Sequence, residues 1–268
     1  MAAFSQLAEF ARSYRQVPSP GIEIVVTPRY QVQLMPDFPI PGPNHVSWVR
    51  CRPDEADDVI REALGIASAR HLPVNWILDP DTEPPDFGDR LRDHGYVPEP
   101  GDEKAMVMVL LADANLRMPQ VEGLAIHDGL ADLETFTASE QVADEGFSGL
   151  PFGQDSPIAS SRERRYVNHR AAGNRRIVLA TIGGEPAGSG LLTLLGPDAA
   201  IINGGAVRPR FRGRGVYRAL VAARLGIARD AGAAGLMVWG GHMSGPILAG
   251  LGFETVSWRA FYVKAESG

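Results

Sequence analysis

The sequence predicts a mixed α/β (α+β) fold built from two related halves, and three observations carry that reading. Short β-rich runs alternate with amphipathic helical stretches along the whole chain. This order breaks at ANLRMPQVEG (114–123) and restarts at Leu124, which divides the chain into halves at 1–118 and 119–268. The plan of 91–110 (short helix, Gly-aromatic, polar turn, strand) returns at 248–263, each time after a strand holding a tryptophan, Trp76 or Trp239.

Taken in order, Leu7, Phe10 and Tyr14 share one face of an opening helix. IEIVVTPRYQVQLMP (22–36) is rich in β-branched residues and reads as one or two strands. A proline loop (36–44) leads to a strand (45–51), then to a helix through about Arg70 that Asp54 is placed to cap. A strand (74–78), a short helix closed by Gly95 and a strand (104–111) complete the first half. The second half reads strand (124–129), helix (130–145), a Gly/Pro/Ser-containing segment (146–161) and a basic helix (162–172). Strands follow at 175–182, 186–195 and 199–207. A helix (about 214–231) turns Val216, Leu220, Ala223 and Ile227 inward. A strand (236–240), a short helix (246–253) and a strand (257–264) end the chain.

Composition narrows the function classes. The chain has 268 residues, 44% hydrophobic and 22% charged, enough to bury a core in each half. A net charge of -6 argues against general nucleic-acid binding, so any anion site must be local. Cys51 is the only cysteine, which rules out an intrachain disulfide and a cysteine-rich zinc site, and fits a reducing cytoplasm. No metal site is expected. The opening residues lack the apolar run of a signal peptide, and no stretch approaches a membrane span. A soluble cytoplasmic protein, with no membrane partner, is the expectation.

Against that acidic background, RPRFRGRGVYRAL (208–220) gathers five arginines and two glycines with no acid. It stands between a strand and a helix. A helix N-terminus exposes backbone N–H groups and the positive end of the macrodipole. Gly213 and Gly215 let phosphate oxygens approach bare backbone, and arginine adds charge-assisted bonds. The pattern describes a pyrophosphate cradle; the bland alternative is a solvated helix start. The dinucleotide fingerprint fails because Arg218 replaces its third glycine, and a P-loop fails for lack of G-K-[ST].

What fits is R-x-x-G-x-G, from Arg210 to Gly215, followed by helix, strand and a short helix ending Leu251-Gly252-Phe253. This ordered set resembles the acyl-CoA-binding region of the GNAT superfamily of N-acetyltransferases. The likeness covers about 124–265. The first half looks like a truncated copy, in which Leu91, Gly95 and Tyr96 echo the ending without an acyl-CoA signature. The resemblance implies a mixed, mostly antiparallel sheet flanked by helices, complete in the second half. It also implies acetyl-CoA as cosubstrate, transferred to the amine of a small molecule by direct attack on the thioester. The chain would act as a monomer or homodimer.

Carried over residue by residue, the backbone at Ala206 and Val207 would pair with the pantetheine arm as an added strand. The amides across Arg212, Gly213, Arg214, Gly215, Val216 and Tyr217 would hold the pyrophosphate, with Arg210 also in reach. Direct attack needs a base, oxyanion donors and an acid for the thiolate. Many relatives take that acid from a tyrosine four residues before the Gly-Phe glycine, where this chain has Leu248. His242 and Ser244 are the substitutes, their alternatives being a polar loop histidine and a helix N-cap. Glu145, Phe147, Phe152 and Asp155 are the acceptor-site candidates, or a loop with two anchoring aromatics. The missing tyrosine keeps a second class open, a non-catalytic acyl-CoA-binding regulatory or interaction protein.

Overall fold

The computed structural model describes residues 2–101, 103–148 and 157–265. In chain order the elements are α1 (Ala2–Ser13), β1 (Glu23–Val26), β2 (Gln31–Leu34), β3 (His45–Ser47), α2 (Ala56–Ser68), β4 (Asn75–Leu78), α3 (Phe87–Asp93), β5 (Tyr96–Pro98) and β6 (Lys104–Leu111). There follow β7 (Leu124–Asp128), α4 (Leu133–Ser148), α5 (Pro157–Ser160), α6 (Arg162–Ala171), β8 (Arg175–Ile182), β9 (Glu185–Leu194) and β10 (Ala200–Val207). The chain continues through α7 (Val216–Asp230), β11 (Gly235–Gly240), α8 (Gly245–Gly250) and β12 (Glu254–Lys264). They assemble into two compact units, one of residues 1–14, 108–238 and 247–256, the other of 15–107, 239–246 and 257–268.

In the first unit β7, β8, β9 and β10 run antiparallel in sequence order, and β11 adds parallel to β10. The sheet is therefore mixed and mostly antiparallel. Its two faces follow from the two-residue strand period. Val178 and Ala180 of β8 pack with Val216 and Leu220 of α7, whereas Ile177 of the same strand packs with Phe136 of α4. On β10, a Cβ at Gly205 would meet Tyr217 and Arg224 of α7, while the Cβ of Ala206 lies against Gly146 of α4. Helices α4 and α7 thus cover opposite faces.

The second unit repeats part of this plan. Strands β1, β2 and β3 are antiparallel, and β4 adds parallel to β3 after the crossover α2, as β11 follows α7. The 257–264 part of β12 pairs antiparallel with both β4 and β5. Trp76, fully buried, anchors this core with ring centroids 5.5 Å from Phe87 and 6.3 Å from Tyr96. The repeated ending is structural: Gly95 (φ 76°) follows α3 and Gly252 (φ 91°) follows α8, and the next residues, Tyr96 and Phe253, are both buried. A left-handed residue just past a helix end is where glycine is favoured.

Three local expectations need correction. Asp54 does not cap α2: Pro53 opens a 3-10 turn, Pro53–Glu55, and Asp54 bonds Arg52 instead. Helix α4 runs to Ser148 rather than 145, so Phe147 is helical. The short strand β5 had no sequence signal, being three residues ending in proline.

Candidate functional site

The arginine stretch is folded as a strand end, a tight turn and a helix start. Strand β10 closes at Val207, Pro209–Phe211 forms one 3-10 turn, and α7 begins at Val216. Phe211 is buried and anchors the turn, with the Arg210 and Arg214 guanidiniums over its ring at 5.2 and 5.5 Å. Gly213 (φ 75°) and Gly215 (φ 82°) are both left-handed. At Gly213 a Cβ would meet nothing within 4 Å, so glycine there serves the backbone turn and leaves the approach open. Gly215 is the N-cap of α7 and supplies no side-chain acceptor. No side chain caps the first turn of this 15-residue helix.

The arginines divide their work. Arg210 is ion-paired with Glu185. Arg212 donates from Nε to the Val207 carbonyl at 3.3 Å and from Nη2 to the Gly146 carbonyl at 2.8 Å, tying the turn to α4. Among the described residues Arg214 pairs with no carboxylate, and it is exposed beside Gly213.

Upstream, β10 is irregular in a way that exposes backbone. Its ladder with β9 shifts register between Asn203 and Ala206, a bulge holding Gly204 (φ 56°) and Gly205. Its parallel ladder with β11 consists of Ala200 with Leu236 and Ile201 with Met237. From Ile202 to Val207 that edge is out of the ladder. Ala206 and Val207 are buried residues at the end of this strand, with their side chains in the core. Val216 is likewise core, and Tyr217 packs, partly buried, against the cluster that contains it.

The acceptor-site candidates are only partly described. Phe152 and Asp155 lie outside the described residues. Phe147, in the last turn of α4, is 69% exposed. Glu145 is ion-paired with Arg208 at 3.0 Å, the arginine side chain being 11% exposed. Ala206 and Gly146 hold this end of α4 against β10, where a Cβ on Gly146 would come within 2.6 Å of the Ala206 Cβ. His242 and Ser244 lie in the turn between β11 and α8, in the other unit. Leu248 of α8 is fully buried, which fixes an aliphatic side chain where the resemblance expects an acid. No described group of histidine, cysteine and carboxylate side chains is set to hold a metal.

Helical spacing missed one residue. Arg224 lies on the same face of α7 as Leu220, is 1% exposed, and its Nε donates to the Leu220 carbonyl at 3.0 Å. Its Nη1 reaches the carbonyls of Leu191 (3.2 Å) and Asn203 (3.4 Å). Burial lowers its pKa to about 10, partly countered by Tyr217, so it stays charged at neutral pH. A charged residue on an exposed-looking helix gives no sequence signal of this. The opposed glycines 190 and 205, small where the guanidinium sits, are the one trace.

Residues 145–244 match the Acetyltransferase (GNAT) family. This segment is a GNAT acetyltransferase domain. It spans the end of α4, the β10 bulge, the glycine-punctuated turn, α7 and the turn holding His242 and Ser244. No curated protein matches the chain. Among solved structures, a GCN5-related N-acetyltransferase from Kribbella flavida is similar over 99% of this chain and 95% of its own, at 16% identity and TM-score 0.63. A functionally unknown conserved protein from Staphylococcus epidermidis reaches TM-score 0.71 at 13% identity, over 96% of this chain and 98% of its own. A tandem GNAT protein from the clavulanic acid biosynthesis pathway reaches 0.59 at 14% identity, over 100% of this chain and 96% of its own. At these identities the likeness concerns the fold, and it extends the GNAT architecture beyond the matched segment to the whole chain. None of the described helices is long and apolar enough to cross a membrane.

Proposed function

We propose that the chain is an acetyl-CoA-dependent N-acetyltransferase acting on a small-molecule amine in the cytoplasm. The half from 119 to 268 would carry acyl-CoA binding, and 1–118 would serve as its GNAT-like companion. One observation supports this best: a strand edge free of its ladder from Ile202 to Val207 runs into an uncapped, glycine-entered helix start. The pantetheine amides would add to that edge, and the pyrophosphate would take the N–H groups of 213–217 with Arg214 beside them. The acceptor nitrogen would attack the thioester carbonyl carbon. The C–S bond breaks, the ammonium proton passes to a base or water, and the thiolate takes a proton. His242 and Ser244 are the residues proposed for these transfers, because Leu248 has no proton to give.

Coenzyme A tests the reading. A ligand at one hundred times its Kd stabilises by about 2.7 kcal/mol, a rise in Tm of several degrees. Gly213→Trp, filling a position open on all sides, should abolish the rise. No shift with wild type at millimolar ligand rejects it. The buried Leu248 favours a second reading, acyl-CoA binding without turnover. Thiol release from acetyl-CoA across an amine panel separates the two.

A further inference from the structure

We propose that Arg224 is the positioning residue of the acyl-transfer site, holding the β10 bulge from inside the core. The inference rests on the functional reading above for its catalytic half and on geometry alone for its structural half. Asn203 and Leu191 are the last regular pair before the register shift, and Nη1 donates to the carbonyls of both. The guanidinium therefore clamps β9 to β10 at the point where Gly204 and Gly205 leave the ladder. Space for it exists because two glycines face it: a Cβ on Gly190 would lie 2.8 Å from Cζ, and one on Gly205 3.3 Å from Nη2.

Stability alone does not account for this residue. Nη2 is buried with no hydrogen-bond partner, and the charge has no carboxylate against it among the described residues. An apolar side chain would avoid both costs. What an apolar side chain cannot do is fix two carbonyls at once and place a positive charge behind the Gly205 backbone. Charge developing on a thioester oxygen seated at that backbone would be stabilised by a fixed cation that needs no reorganisation.

The test compares wild type, Arg224→Met and Arg224→Lys in the full-length chain. Amide hydrogen exchange reads the bulge with no ligand present. Protection at Ile202, Ala206 and Ser189–Leu191 should fall at least tenfold in Arg224→Met, with the amides of β7 and the outer edge of β8 unchanged. Coenzyme A affinity should stay within about threefold, while kcat for thiol release from acetyl-CoA, with the best amine of the panel, falls ten- to a hundredfold. Arg224→Lys, which keeps the charge and can reach one carbonyl, should recover part of both. Wild-type exchange in Arg224→Met overturns the clamp, and an unchanged kcat overturns the catalytic role. Loss in affinity equal to the loss in rate would also overturn that role. If Arg224→Met fails to fold, the lysine variant decides through the same readings. A wild type that neither binds coenzyme A nor releases thiol rejects the functional reading, and hydrogen exchange alone then decides whether the clamp exists.

Discussion

Gly190→Ala should be among the costlier small substitutions in the chain, and its cost should vanish when Arg224 is removed. The added Cβ would lie 2.8 Å from Arg224 Cζ, 2.9 Å from Nη1 and 3.2 Å from Nε. An ordinary contact needs about 3.5 Å, so the guanidinium must retreat by roughly 0.7 Å. Its Nη1 contacts already stand at 3.2 and 3.4 Å, so that movement breaks them. Lost charged hydrogen bonds and overpacking together should cost about 2–4 kcal/mol. In an Arg224→Leu background the clash is gone, and alanine in a strand gains up to about 1 kcal/mol over glycine. The double-mutant cycle should therefore show a coupling of about 3 kcal/mol. Urea unfolding followed by far-UV circular dichroism is the assay. Tryptophan fluorescence would mislead, since all four tryptophans (48, 76, 239 and 258) belong to the other unit. Equal costs in the two backgrounds, within about 0.5 kcal/mol, would refute the buried clamp.

Other expectations follow from the same geometry. Gly215→Ala should cost about 1–2 kcal/mol from its left-handed φ of 82°, with Val121 Cγ2 only 3.2 Å from the new Cβ, and should weaken coenzyme A binding in the same thermal-shift assay. His169 is held well below its ordinary value, at about 3, by burial first and then by Arg175 and Arg165. The unfolded chain therefore takes up the proton first, and stability present above about pH 6.5 is lost as pH falls toward 3. His169→Phe, which keeps a ring against Phe136, should flatten the pH dependence of the unfolding free energy from urea titrations between pH 6 and 4 by up to about 1 kcal/mol per pH unit. Glu145→Gln removes the carboxylate facing Arg208. If that carboxylate draws a cationic acceptor, KM for the amine rises several-fold at constant KM for acetyl-CoA; an unchanged amine KM removes Glu145 from the acceptor site.

The parts of this fold that sequence reveals are those set by local rules. Gly213 and Gly215 are legible because only glycine sits easily at positive φ, and the Leu-Gly-Phe ending because a helix stop has a fixed chemistry. Val216 and Leu220 follow from apolar spacing, and both are fully buried. Arg224 obeys the same spacing but carries a charge, and charge reads as solvent-facing until partners distant in sequence are known. Its acceptors, Leu191 and Asn203, stand on strands whose register no local rule sets. Asp54 shows the converse: a good capping residue is displaced by the proline before it, which starts a turn one residue earlier.

The composition of the two units has a consequence for biosynthesis. Strand β4 is completed on one edge by β12, whose residues are translated long after 75–78. Helix α1 belongs with strands that do not exist until residue 124 and beyond have been made. A nascent chain carrying only the first half therefore holds an unpaired strand edge beside Trp76 and an amphipathic helix whose apolar face has no partner yet. Such a chain should need protection until β12 has been made, and either half expressed alone should be prone to aggregate. Fusion or tagging beyond residue 264 would act directly on the strand that pairs with β4 and β5.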